Sequence, residues 1–168
     1  MDIIRQLKTN LFSTTVMLLK NNNIPFWLDT NTLLTLVGKK MELSLLHYKN
    51  VRLSIPGEYF SQSLALLEQL GFAYRFYLIP NKSGRQWIEN EYCRLAVLSR
   101  WKHKTKAFKI FITPKYKVNN HYRWVDKRSC KEIDGKYYEK LDEIQIYGQS
   151  FPIPLYNEEY LKVRFGKN

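Results

Sequence analysis

The spacing of the apolar residues changes along this chain, and that change restricts it to a mixed α/β fold. Ile3, Ile4, Leu7, Leu11, Met17 and Leu18 recur at helical spacing up to the polar stop Asn21-Asn22-Asn23. The N-terminal segment therefore predicts one long or two short amphipathic helices, with a stripe that reads as core rather than membrane anchor. Residues 24–28 then read as a short buried strand. Asp29 and Thr30 offer side-chain oxygens to cap a helix over 32–37, and Gly38 stops it. Val51, Leu53 and Ile55 alternate with Arg52 and Ser54 as a half-buried strand, and Pro56-Gly57 breaks it before a helix carrying Phe60, Leu64, Leu67 and Leu70 that Gly71 ends. From Phe72 the pattern turns β-rich, with runs at 72–79, 94–98, 107–113 and 143–147 separated by polar turns such as Asn81-Lys82-Ser83-Gly84. These predict further strands of one mixed sheet. A last helix is expected over 157–164, with Asn157 as cap, Glu158 and Glu159 at its positive end and Gly166 after it.

A chain of 168 residues fits one domain, 1–168, and no internal repeat or linker divides it. Hydrophobic residues make up 45%, including twelve Tyr and nine Phe, which is enough apolar surface to offset the entropy lost on folding and argues against global disorder. Cys93 and Cys130 form neither a CxxC pair nor a zinc-finger spacing, so a reducing compartment is expected. The start Met1-Asp2-Ile3-Ile4-Arg5 lacks the pattern of a signal peptide, and no run approaches about 18 apolar residues, so the expectation is a cytoplasmic protein, at most peripheral to a membrane.

The formal charge of +12 attracts nucleic acid, nucleotides, anionic glycans or an acidic membrane surface, and it also suits a merely well-solvated basic surface. The densest stretch is Lys102-His103-Lys104-Thr105-Lys106. Aromatics stand among cations in Arg100-Trp101-Lys102, Tyr116-Lys117 and His121-Tyr122-Arg123-Trp124. That mixture permits base stacking with phosphate contacts, although no RNP, KH, zinc-finger or helix-turn-helix signature accompanies it, and Tyr122 and Trp124 equally suit a strand face packed on the core.

Four segments, in order, carry a resemblance. Ile24-Pro25-Phe26-Trp27-Leu28-Asp29-Thr30-Asn31-Thr32-Leu33-Leu34 is similar to a strand ending in Leu-Asp before a Gly-Thr-Leu-Leu turn, with Asn31 in place of Gly. Leu46-His47-Tyr48-Lys49-Asn50-Val51-Arg52-Leu53-Ser54-Ile55 is similar to a strand that carries Asp-x-Asp, with Asn50 and Arg52 at the Asp positions. Ala107-Phe108-Lys109-Ile110-Phe111 resembles a later strand that presents another Asp, where Lys109 now stands. Ile146-Tyr147-Gly148, Phe151-Pro152-Ile153-Pro154, Glu158-Glu159-Tyr160-Leu161 and Phe165-Gly166 resemble a C-terminal pattern of Tyr-Gly, Phe-Pro-x-Pro, Glu-Glu-Tyr-Leu and Tyr-Gly. Together they resemble the LicD and fukutin-related family. The resemblance implies a single-domain α/β (α+β) fold, a nucleotidyltransferase-like mixed β-sheet with flanking helices. It also implies kinship with transferases that move phosphocholine or a sugar-alcohol phosphate from a cytidine diphosphate carrier onto a glycan.

In that chemistry paired carboxylates hold Mg²⁺, which neutralises phosphate charge and aligns the attacking hydroxyl. Asn50, Arg52 and Lys109 supply one amide and two cations instead, so the expectation is a catalytically impaired homologue with no cofactor. Mg²⁺ would enter only if other acids took over, and Asp29, Glu42, Glu58, Asp126 and Asp134 are the candidates. Their plainer reading is a helix cap for Asp29 and surface charge for the rest. The sharper expectation is a phosphate or nucleotide pocket formed by Asp29, Thr30, Asn31, Thr32, His47, Lys49, Asn50, Arg52 and Lys109, in which the cations replace the metal. The competing expectation is a decayed pocket with cations in water. His47 has the pKa of a general base but reads more readily as structural. Partners under these readings are a cytidine diphosphate-linked donor, an anionic glycan or an active homologue, with nucleic acid as the alternative.

Overall fold

The computed structural model describes residues 3–38, 50–78, 94–99, 109–126, 129–146 and 148–166. Helix α1 (Ile3–Asn21) is followed by strand β1 (Trp27–Leu28), helix α2 (Thr30–Gly38) and strand β2 (Asn50–Pro56). A single 3-10 turn (Gly57–Tyr59) leads into α3 (Phe60–Gln69), then β3 (Ala73–Leu78), β4 (Arg94–Ser99) and β5 (Lys109–Val118). The chain closes with β6 (His121–Asp126), β7 (Ser129–Asp134), the short α4 (Lys136–Glu139), β8 (Leu141–Ile146), β9 (Gln149–Pro154) and α5 (Asn157–Phe165).

The main sheet has seven strands in the path β1-β2-β5-β4-β3, with β6 added to β5 and β7 to β6. Its centre is the parallel pair β2/β5, and the other ladders are antiparallel. Strand β5 serves two neighbourhoods: its first half pairs β4 as far as Ile112, and its end pairs β6 from Tyr116. Pro114, which has no N–H to donate, sits where one antiparallel partner stops and the next begins. On β2, Val51, Leu53 and Ile55 are buried beside Ile110 and Ile112 of β5, and Phe12, Val16, Leu19, Phe60, Leu64 and Leu67 from α1 and α3 belong to the same core.

Two local expectations need correction, and one open stretch is filled. Among the described residues strand β8 does not join the main sheet but pairs β9, as a separate antiparallel hairpin, and β9 lies against β1. Strands β6 and β7 fall in a stretch that the strand pattern left unassigned, and Tyr122 and Trp124 do lie on a strand, as one of their two readings had it. The chain enters β6 from β5 through Asn119-Asn120, with Asn119 at φ 53° and Val118 opposite His121, the positive-φ geometry of a tight hairpin. Finally, Asn157 is the first residue of α5 and not its cap. The cap is Tyr156, in the left-handed region at φ 52° with no side-chain cap bond. Its carbonyl accepts the N–H of Tyr160, and Gly166 at φ 63° ends the helix as expected.

Candidate functional site

The other face of the β2/β5 pair is polar. Side chains alternate along a strand, and register partners in a parallel ladder stand side by side, so Asn50, Arg52, Ser54, Lys109, Phe111, Thr113 and Lys115 belong to one face. Asn50 is the partner of Lys109, and Arg52 of Phe111. The positions read as replaced carboxylates are therefore neighbours, brought together by the pairing of distant segments. The Arg52 guanidinium lies 5.0 Å from the centroid of the Phe111 ring, a cation–π contact that also restricts the plane of the guanidinium. The Arg52 backbone N–H donates to Thr32 Oγ1 at 2.9 Å, which ties the first turn of α2 to β2. Thr30 and Asn31 open that same turn.

Further along the face lies a buried charged cluster. Asp29, at the β1–α2 junction, is 1% exposed, and Lys115 is fully buried. Lys115 Nζ sits 2.9 Å from Asp29 Oδ2 and 3.2 Å from the centroid of the Trp124 ring. Ser54 Oγ donates to Asp29 Oδ2 at 2.7 Å, and Tyr160 donates its hydroxyl to Asp29 Oδ1. Tyr138 in turn donates to Tyr160 at 3.1 Å. Burial by itself would push the Asp29 carboxyl upward, but the Lys115 charge, followed by the Tyr160, Ser54 and Lys115 hydrogen bonds, outweighs it and holds the carboxyl below 3.8. Burial and then the Asp29 charge push the Tyr138 and Tyr160 hydroxyls well above 10.0, so both are neutral donors at physiological pH.

Of the residues expected to form a ligand pocket, Asn50, Arg52 and Lys109 share the polar face, with Thr32 hydrogen-bonded to its backbone. Asp29 is turned inward and neutralised by Lys115. His47 and Lys49 lie outside the described residues, as do Glu42, Cys93 and the basic stretch 100–106. Glu58 is exposed in the 3-10 turn, Asp134 Oδ1 accepts the Lys136 N–H, and Asp126 pairs Ser129 at the β6/β7 hairpin end. Trp124, a candidate for base stacking, is 2% exposed with Lys115 and Arg164 over its ring, so a base could reach it only by unpacking the core. Sequence reasoning did not single out Lys115, Ser54 or Tyr160 as one cluster. Lysine reads as solvated by default, and only the fold brings the Leu-Asp and Glu-Glu-Tyr-Leu segments together.

Comparison with solved structures interprets this arrangement. The lincosamide antibiotic adenylyltransferase LnuA, solved with lincomycin bound, superposes with a TM-score of 0.59 over 95% of this chain and 85% of its own, at 11% identity. The antibiotic-resistance factor ANT(2'')-Ia does so with a TM-score of 0.50 over 95% of this chain and 74% of its own, at 14% identity. The fold is nucleotidyltransferase-like. No protein-family model matches the sequence, and no curated protein sequence does either. Mg²⁺, which such chemistry implies, needs hard anionic oxygens, and the register positions of the β2/β5 pair where carboxylates were looked for carry Asn50, Arg52 and Lys109, which do not fit it. Among the described residues no group of three or more His, Cys, Asp or Glu is placed to hold a metal ion, and no helix is long and apolar enough to cross a membrane.

Proposed function

We propose that this protein is a nucleotidyltransferase-fold binding protein, a LicD-like homologue that holds the phosphate-bearing part of a ligand on the β2/β5 face without transferring it. The observation that carries this reading is the parallel register, which sets Asn50 against Lys109 with Arg52 next along the same face. Two cationic residue types at those register positions supply positive charge for phosphate oxygens, and the Arg52 guanidinium held against Phe111 offers a planar fork suited to bidentate contact. The Thr30 and Asn31 amides at the start of α2, adjacent through the Thr32 contact, add donors of the right sign. Turnover requires more than binding: with no carboxylate at these positions, neither a metal nor a base on this face would activate an acceptor hydroxyl. A cytidine diphosphate-linked alcohol is the donor class that the sequence resemblance suggests.

Calorimetric titration with such a donor in the presence of chelator tests the proposal. Wild-type protein should bind, and Arg52→Ala should lose about tenfold or more in affinity, as expected when a charge-assisted contact is removed. Binding that Arg52→Ala leaves unchanged would place the ligand elsewhere. Turnover of the donor by the purified protein would show that acids outside this face have taken over the chemistry.

A further inference from the structure

We infer that the β2/β5 face takes phosphate only in its metal-free form, so that Mg²⁺ acts against binding and the ligand class is a phosphate mono- or diester rather than a Mg²⁺-nucleoside triphosphate. This deepens the phosphate-binding reading above and rests on it. A magnesium-complexed polyphosphate brings a divalent cation with its phosphate oxygens. At this face the ion would meet the Arg52 guanidinium and the Lys109 position opposite Asn50, and like charges at such separations repel strongly in a partly desolvated site. Among the described residues on the same face, no unengaged carboxylate offsets that repulsion. Asp29, whose partners Ser54 and Lys115 lie on this face, is buried and already bound to Lys115, Ser54 and Tyr160.

Geometry adds a second reason. Arg52 is fixed from two sides, its backbone by Thr32 and its guanidinium by the Phe111 ring. A fork held this way engages two oxygens of one phosphate, and a metal that occupies those oxygens removes the acceptors. Mg²⁺ prefers substrates whose adjacent phosphates can share it, so triphosphates carry it and isolated phosphate esters largely do not. The class selected is therefore a phosphate ester taken free of metal, which includes the diphosphate diester of a cytidine diphosphate-linked alcohol when no ion is bound to it.

The test titrates CTP and CMP into the full chain, each with chelator and with excess Mg²⁺, using wild type and Arg52→Lys, with circular dichroism confirming the fold of the variant. The expected result is CTP binding that weakens by about tenfold or more when Mg²⁺ is added, with CMP binding unchanged. Arg52→Lys should weaken both nucleotides while keeping the Mg²⁺ effect on CTP, since it preserves charge and loses the fork. CTP binding that is equal or tighter with Mg²⁺ overturns the inference while leaving phosphate binding intact. Failure of both nucleotides to bind under either condition overturns the phosphate reading itself.

Discussion

Asp29 and Lys115 form an ion pair fully removed from water, and such a pair is sensitive to the loss of either member. Taking charges out of water is costly, and the partner is what offsets it, so removing one charge leaves the other buried alone. Asp29→Asn is expected to lower unfolding free energy by about 3 to 5 kcal/mol in denaturant titrations. Asp29→Asn combined with Lys115→Met should cost less than the sum of the separate changes, because the second removes the orphaned charge. Strict additivity would mean that the two groups do not depend on each other. The pH dependence follows from the same geometry. The folded carboxyl titrates below its ordinary 3.8, so its contribution is complete above that value and is lost as pH falls through the lower folded value. At the alkaline end the signs reverse. Tyr138 and Tyr160 hold their protons more tightly folded than unfolded, so stability should fall as pH rises above 10.0. Tyr160→Phe should flatten part of that alkaline loss when midpoints are compared across pH.

At the scale of elements, the sequence is most informative where one period dominates. The apolar spacing of α3 and the alternation in β2 are plain because each buries one face, whereas on α1 the expected stripe was misplaced: Met17 is 57% exposed, and Phe12, Val16 and Leu19 reach the core. The hairpin β6/β7 is concealed because His121, Arg123 and Glu132 occupy its exposed side while Trp124 and Ile133 are buried on the other, so a cation-rich string is in fact an alternating strand. The Asn119-Asn120 pair was the available signal for the turn from β5 into β6. The start of α5 went astray for a different reason. An asparagine before two glutamates reads as a cap, yet the chain enters the helix through Tyr156 in the left-handed region, a conformation that a bulky side chain resists. Tyr156 is 57% exposed, so replacing it forfeits little burial. Tyr156→Gly is therefore expected to stabilise the fold by about 1 kcal/mol. A destabilised variant would show that the tyrosine ring makes contacts worth more than the strain. Gly57 makes the opposite case. A Cβ there would lie 2.3 Å from ring carbons of Tyr116, so Gly57→Ala should displace that ring and cost about 1 to 3 kcal/mol in the same titration.

At the scale of the molecule, long-range closure decides both the candidate site and the stability. The residue types at Asn50, Arg52 and Lys109 are visible in the sequence, but their adjacency is not, because a parallel register between distant strands leaves no local trace. The same holds for Asp29, whose hydrogen-bonding partner Tyr160 lies 131 residues away on the terminal helix. Helix α5 thus contributes more than a cover. It supplies Tyr160 to the buried carboxylate and Arg164 to the Trp124 ring, while Glu159 accepts from Lys136 and Tyr137 of α4. Contacts of such sequence separation bind the two ends of the chain into one cooperative unit. A chain truncated after Tyr156 should therefore lose its single sharp unfolding transition, since Lys115 and Asp29 would be opened to water along with the core around them. Tyr160→Phe keeps the ring packing and removes one hydrogen bond to a charged group, so it should remain cooperative and cost only about 1.5 to 3 kcal/mol. Chemical denaturation followed by both tryptophan fluorescence and circular dichroism separates the cases. Coincident curves for Tyr160→Phe and divergent curves for the truncation are expected, whereas coincident, unshifted curves for the truncation would show that α5 is an appendage and that the fold closes without it.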